Sequence, residues 1–383
     1  MKKVIFLQNK GKSYGGVFQV NKLVGEELIK NGYDVTILSI RNNQGDFKIE
    51  HDDRLKIKTV NEEDLWGTYT GSEIVKEIKT FHILKPIKMF ISRIKYDIGL
   101  KKDEKKLKKI LLKENPNYII VSHYQILDMI PKEYLGKTIN IQHSSFKVAI
   151  NHKATRRTML KYKDKIQYVW LTKETMNLAK KYGFKNSKYI YNAVRFKSSK
   201  IANVIENKKL IAISRIDSDK NIGEMIDILE EVFEDKSLKN WKFEIYGSGD
   251  EEKKIKNKIK NKEQIKLMGV TKNPKDELLK ASINLNTSKY EGFSLSILEA
   301  NECGIPTIAY NFGESANEQI INGKTGIIAN NRQEYVSNLK ELMLSNNKLL
   351  GLSKECKEYS KKFQIENIVK DWIKLFDSIE LKI

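Results

Sequence analysis

No run of eighteen consecutive apolar residues occurs in the 383-residue chain, which excludes a membrane-spanning helix by length. The opening MKKVIFLQNKGK has too short an apolar part for a signal peptide and reads instead as a first β-strand over 4–7. Two cysteines, Cys303 and Cys356, provide neither a disulfide framework nor a zinc spacing. They suit a reducing, cytoplasmic setting, and each is expected to be a buried small hydrophobe. Zinc-finger, homeodomain and RRM signatures are missing, and no aromatics interleave the basic runs, so nucleic acid is not an expected partner. Acidic residues are in short supply: 70 Lys and Arg against 49 Asp and Glu leave a net charge of +21. A charge of that size attracts polyanions, with an anionic membrane or an acidic acceptor ahead of nucleic acid. An AT-rich genome would account for the preference for Lys over Arg, but less easily for the shortage of acids.

The length exceeds what one core usually fills, so two domains are expected. Short apolar runs alternate with helical patterns throughout. Strands are predicted at 4–7, 33–40 (YDVTILSI), 118–122 (YIIVS), 138–142 (TINIQ) and 167–171 (QYVWL). Between the first two lies a helix with the stripe Val20, Val24, Leu28 and Ile29, stopped at Asn31-Gly32. A second series is predicted at 210–214 (LIAIS), 242–246 (KFEIY), 265–268 (IKLM), 283–286 (INLN), 307–309 and 326–328. The polar, aperiodic stretch 192–208 separates the two series. This βαβ rhythm specifies an α/β protein of two Rossmann-like doubly wound domains, 1–195 and 196–364, each binding ligand at the carboxyl ends of its strands. An amphipathic helix over 365–383, carrying Ile368, Val369, Trp372, Ile373 and Phe376, is expected to cross back over the domains.

Several strand ends carry chemistry. KSYGGVF (12–18) follows the first strand, and Gly15 and Gly16 there would let backbone amides approach a diphosphate at a helix N-terminus. The full dinucleotide fingerprint is absent, so a plain tight turn fits equally well. Arg215 and Lys220 lie in SRIDSDKNIGE at the mouth of the second sheet, where two cations can clamp a pyrophosphate. Taken singly, each is an ordinary surface cation. Asp217-Ser218-Asp219 between them mimics a metal-binding D-x-D, but a metal beside two phosphate-binding cations would be redundant, and no metal is expected. Tyr246-Gly247-Ser248-Gly249-Asp250 forms a G-x-G turn that can pass close to a nucleotide. His123 and His143 each end a first-series strand and can face a sugar. Over 81–96, apolar residues alternate with Lys85, Lys88, Arg93 and Lys95, the composition of an interfacial helix on anionic lipid. The 100–114 part, with Leu107, Ile110 and Leu111, reads rather as a core-facing helix.

SKYEGFSLSILEANECGIPTIAY (288–310) places Glu291 and Glu299 eight positions apart. On one helix they would be about 80° apart, but Gly292 and FSLS make a loop followed by a helix the better model. Ser296 and Glu299 fit a capping box, a purely structural use of the second carboxylate. A glycosidase needs two facing carboxylates and no phosphate site, and the cations and glycine loops argue against it.

The arrangement E-x7-E in YEGFSLSILEA, then CGIPTIAY and NGKTGIIA, resembles the retaining glycosyltransferases of family 4, which have the GT-B fold of two domains facing a cleft. KSYGGVF with NGYDVTIL, AISRIDSDKNIGE and IYGSGDE extend the resemblance over much of the chain, with Ser214 where glycine is usual. VWLTKET and SKYEGFSLSILEA are similar to the subgroup that glycosylates wall teichoic acid or surface proteins, and to capsule-building relatives. The resemblance implies a nucleotide-sugar donor, UDP-GlcNAc for example, with Arg215, Lys220, Gly15, Gly16 and the amides of Gly292, Phe293, Ser294 and Leu295 on the diphosphate. Gly247 and Val270 would lie along the nucleotide, Glu291 on the transferred sugar, Glu299 on the ribose and His143 near the reacting centre, with His123 a sugar or acceptor contact. It further implies no cofactor, no required metal, no protein nucleophile and domain closure over the substrates. The acceptor would be an anionic glycopolymer, a lipid-linked precursor or a protein, at the inner face of the cell membrane. Two other functions share the fold: a sugar-nucleotide epimerase, which needs no separate acceptor, and a silent partner subunit, which would lack Arg215, Lys220 or Glu291.

Overall fold

The computed structural model describes residues 1–10, 16–41, 50–61 and 84–381. Gly15 and residues 81–83 lie outside the described residues, as do the side chains of 84–97, so the interfacial reading of 81–96 has no structural counterpart here. Among the described residues no helix is long and apolar enough to cross a membrane.

Seven strands form the first sheet: β1 (Lys3–Lys10), β2 (Asp34–Arg41), β3 (Lys56–Asn61), β4 (Tyr118–Val121), β5 (Thr138–Gln142), β6 (Gln167–Trp170) and β7 (Ser187–Tyr189), in the order β3-β2-β1-β4-β5-β6-β7. The helices of this half are α1 (Gly16–Lys30), α2 (Leu84–Glu114), α3 (Phe146–Asn151), α4 (Lys153–Tyr162) and α5 (Lys173–Lys181). In α1 the predicted stripe Val20, Val24, Leu28 and Ile29 is buried, and Gly32, at φ 85°, ends the helix as its left-handed cap. Leu107 and Leu111 of α2 are fully buried, as a core-facing helix requires. The neighbours β1, β2, β3, β4 and β5 all pair in parallel. Beside the carboxyl ends of β1 and β4, Asn21 Nδ2 donates to Gln8 Oε1 at 2.9 Å and to Ser122 Oγ at 3.1 Å, a buried polar lock between α1 and the sheet.

The second sheet is wholly parallel: β8 (Lys209–Ile213), β9 (Lys242–Tyr246), β10 (Ile265–Gly269), β11 (Ile283–Asn286), β12 (Thr307–Tyr310) and β13 (Gly326–Ala329), ordered β10-β9-β8-β11-β12-β13. Its helices are α6 (Ile222–Phe233), α7 (Glu252–Ile259), α8 (Pro274–Leu279), α9 (Leu295–Glu302), α10 (Ala316–Gln319), α11 (Arg332–Leu344) and α12 (Asn346–Ser360), with α13 (Ile365–Glu380) closing the chain. Strand residues Leu210, Phe243, Ile245 and Ile283 pack with Ile226 and Leu229 of α6 in one fully buried core. Each such side chain adds about 1.5–3 kcal/mol of burial. Cys303 and Cys356 are both completely buried. Burial pushes the Cys303 thiol up to about 12, as expected of an inert core cysteine.

Two compact units result. One contains Met1–Ile141, Lys153–Tyr168 and Phe376–Ile383; the other contains Gln142–His152 and Val169–Leu375. Position 195, where a boundary was expected, therefore falls within the second unit. The stretch before it is tied to later residues of that unit: Tyr191 packs on Phe293 and Phe363 at ring centroid distances of 5.6 and 5.4 Å, and the Val194 amide donates to the Phe363 carbonyl at 2.9 Å. The last turn of α13 is held in the first unit, where Phe376 stacks on Tyr118 at 4.2 Å and Tyr118 Oη donates to Glu380 at 2.5 Å. Ile368, Val369 and Trp372 are buried on the same helix, as its apolar spacing requires.

Candidate functional site

In the second sheet the strand order reverses between β8 and β11, and ligands of open α/β sheets bind outside the carboxyl ends of the strands at such a point. The loop after β8 carries Arg215 and Lys220, and the loop after β11 carries Glu291. The fold brings the two loops together. Lys220 Nζ lies 2.6 Å from Glu291 Oε1, with the two side chains only 16% and 10% exposed. Ser288 Oγ donates to the same oxygen at 2.9 Å, and Asn286 Nδ2 reaches it at 3.5 Å. Thr287 Oγ1 donates to the backbone oxygens of Lys220 and Asn221, at 3.0 and 3.1 Å. The Lys289 amide donates to the Asp219 carbonyl at 2.8 Å. Glu291 is thus an aligned carboxylate beside an aligned ammonium, each held before any substrate arrives.

Arg215 behaves differently. Its side chain is 72% exposed and pairs with Asp217 Oδ2 at 2.5 Å. The other oxygen of Asp217 accepts from the backbone amides of Asp219 and Lys220, both at 3.2 Å, so this carboxylate closes the turn that presents Lys220. Among the described residues, no group of three or more His, Cys, Asp or Glu side chains is arranged to hold a metal ion.

Two glycines are required by close backbone approach. Gly247, at φ 145°, lies where a Cβ would collide with the Ser214 carbonyl. This packs the G-x-G turn against the loop that carries Arg215. Gly292 faces the carbonyl of His143, and there too a Cβ would collide with backbone. His143 therefore sits in the second unit beside Glu291, although its strand belongs to the first sheet by order. Ser315 Oγ donates to the Glu291 carbonyl at 3.0 Å, and its neighbour Glu314, 5% exposed, accepts from Ser145 Oγ at 3.4 Å. The segments at 143–147, 291–294 and 313–315 form one cluster.

The helix start after Glu291 is partly committed. Ser294 is the N-cap of α9 but its side chain makes no capping bond, and its amide donates to Gln319 Oε1 at 2.7 Å. Phe293 is buried against Tyr191 and Phe363, at ring centroid distances of 5.6 and 5.7 Å. Leu295 is half-buried, and Val270 is exposed after β10. Glu299 is 1% exposed and grips the Arg195 guanidinium with both carboxylate oxygens. Burial opposes the charge on Arg195, but the facing carboxylate outweighs it and holds the guanidinium above its ordinary pKa. The capping box from Ser296 is not formed, because Ser294 is the N-cap.

In the first unit, His123 follows β4 with Nδ1 buried and without a hydrogen-bond partner among the described residues. Burial holds its pKa below 6.5. Gly16 opens α1 and is exposed.

Reasoning from sequence did not select Arg195, Asn286, Ser288, Glu314, Ser315 or Gln319. Asn286 had a signal: a polar residue at the end of the otherwise buried strand INLN. Arg195 had none, because it lay in a stretch that reads as linker.

Two parallel-sheet Rossmann-like domains with charged strand-end loops at a switch point define the GT-B class of proteins. Residues 194–363 match the family model of glycosyl transferases group 1. The match covers less than half of the chain and falls in its second domain. Among its relatives, an uncharacterized glycosyltransferase of Haemophilus influenzae is 26% identical over 97% of this chain and 99% of its own. A poly(ribitol-phosphate) alpha-N-acetylglucosaminyltransferase of Staphylococcus aureus is 31% identical over 45% of this chain and 36% of its own, so the chain spans about a third of that relative's length. A crystal structure of an S. aureus TarM mutant in complex with Fondaparinux, alpha-GlcNAc-glycerol and UDP superposes with a TM-score of 0.76, at 15% identity, over 98% of this chain and 100% of that one. At that identity the superposition speaks for the fold.

Proposed function

We propose that the protein transfers a sugar from a nucleotide diphosphate donor, a UDP-sugar such as UDP-GlcNAc, to an anionic cell-surface glycan precursor, teichoic-acid-type polymer or protein acceptor on the cytoplasmic side of the membrane. The observation that carries this reading is the Lys220–Glu291 pair at the switch point of the second sheet, held at 2.6 Å by the surrounding hydroxyl and amide donors. A phosphate arriving at that loop would meet Lys220 directly, and Arg215 can swing to it from its exposed pairing with Asp217. Glu291, released from part of its pairing, accepts hydroxyl donors of the sugar. The S. aureus relative named for poly(ribitol-phosphate) and the UDP in the TarM complex support the donor and acceptor classes.

The reaction then needs positioning and charge stabilisation rather than a protein nucleophile. The acceptor hydroxyl attacks the anomeric carbon on the face of the departing diphosphate. The bond from that carbon to the phosphate oxygen breaks, and the phosphate takes the acceptor's proton, retaining the anomeric configuration. His143, whose carbonyl abuts Gly292, lies next to the sugar-binding carboxylate in this scheme. Glu299 can bind ribose with the lone pairs that the Arg195 fork leaves, two of about four on a carboxylate. No metal is required.

The test is a transfer assay with a panel of UDP-sugars and polyol-phosphate polymers, with and without a chelator. The expected result is a single preferred donor, an α-linked product by NMR from an α-linked donor, and full activity with the chelator present. Inverted product, or activity that vanishes on chelation, would overturn the mechanism. Donor turnover to a second nucleotide sugar without any acceptor would favour an epimerase instead.

A further inference from the structure

The +21 charge is not spread evenly, and one helix concentrates it where neutralising partners are absent. Helix α4, KATRRTMLKY, carries four cations and no acid. Thr155, Met159 and Tyr162 are its buried side, while Lys153, Arg156 and Arg157 are exposed on the other. Lys161 pairs with Asp128 at 2.6 Å, but none of the other three has an ion-pair partner among the described residues. In other cation-rich helices, acids stand in the same helix. In α7, Lys256 meets Glu252 at 2.7 Å, and Lys254 meets Glu251 just before it at 2.9 Å. The lysine-rich carboxyl half of α2 carries Asp103, Glu104 and Glu114, of which Asp103 pairs with Arg41 and Glu114 with Lys3 and Lys58.

The placement in α4 is also unfavourable for the helix itself. Its three free cations occupy the amino-terminal half, and its first turn has no acid, so they face the positive end of the helix dipole. Among the described residues no carboxylate lies within ion-pair distance of them. An anion from outside would compensate them. The helix that presents them belongs to the first unit. Its carboxyl end is fixed, by Tyr162 Oη donating to Asp128 in the turn after β4 at 3.1 Å and by Tyr168 Oη donating to the Met159 carbonyl at 3.1 Å.

We infer that the exposed face of α4 docks a polyanionic, phosphate-rich polymer, and that this polymer is the sugar acceptor; the second clause rests on the transfer reading above. A lipid surface fits less well. An interfacial helix buries a continuous apolar face, whereas the exposed side of α4 offers a single large apolar residue, Leu160.

The experiment titrates the full chain with fluorescently labelled long-chain inorganic polyphosphate at low salt. It compares wild type with Lys153→Gln/Arg156→Gln/Arg157→Gln and with Lys101→Gln/Lys105→Gln/Lys108→Gln on the exposed side of α2. Both triple variants lose the same charge. The α4 variant is expected to bind at least about tenfold more weakly with a shallower salt dependence, and the α2 variant to change less than about threefold. Donor binding should be unchanged in both. Equal losses in the two variants, no loss in the α4 variant, or wild-type binding to anionic phospholipid vesicles but not to polyphosphate would each overturn the inference. If polyphosphate binds through α4 while no sugar reaches any polymer, the docking surface stands and the transfer reading falls.

Discussion

Two regions of the molecule treat charge in opposite ways. At the switch point of the second sheet, Lys220 and Glu291 are paired, partly buried and fixed by Asn286 and Ser288. On the first unit's α4, three cations stand exposed and unmatched. A small ligand with a fixed arrangement of phosphate and hydroxyl groups calls for the first kind of site. A long, repetitive polyanion calls for the second, where charge density matters more than any one contact.

The comparison breaks most sharply at Glu291. Glu291→Gln keeps the shape of the loop but removes the charge facing Lys220. Transfer should fall by roughly 10²–10⁴-fold while binding of the bare nucleotide is largely kept, as single-turnover assays and calorimetry would read. Next comes the buried fork behind the site. Arg195→Met strands the Glu299 carboxylate and should destabilise the protein by about 3–5 kcal/mol, whereas Arg195→Met/Glu299→Leu should recover much of that in urea melts. Gly292→Ala drives a methyl into the His143 carbonyl, and a loss of about 2 kcal/mol is expected, with activity reduced through displacement of both residues. The smallest effect belongs to the first unit. His123 is buried with its pKa below 6.5, so the unfolded chain takes up the proton more readily than the folded one. Stability from this group is present above 6.5 and is lost as pH falls through that value. His123→Gln should flatten the dependence of Tm on pH below 6.5.

Much of the second domain was legible because parallel strands buried on both faces read as apolar runs bounded by glycine and polar residues. All six of its strands fall where LIAIS, KFEIY, IKLM, INLN, TIA and GII stand. In the first domain, β3 was missed. KIKTVN turns exposed lysines outward at the sheet edge, and its polar start resembles a loop. The three residues of β7 offer no periodicity at all. Within the site, Lys220 and Glu291 were legible from strand-end loops and the E-x7-E resemblance. The partner of Glu299 was not. Arg195 lies 104 residues away along the chain, and only folding brings the two together. The exposed cations of α4 were hidden for a different reason: lysine is common everywhere in this sequence, and only a structure separates matched cations from unmatched ones.

In the proposed function, the switch-point cations of the second domain hold a nucleotide sugar. A thermal-shift panel of nucleotide sugars on wild type, Arg215→Ala and Lys220→Ala tests it most directly. One nucleotide sugar is expected to raise the Tm of the wild type, and that shift is expected to be lost in both variants. No response of the wild type to any nucleotide sugar, or an undiminished response in both variants, would contradict it.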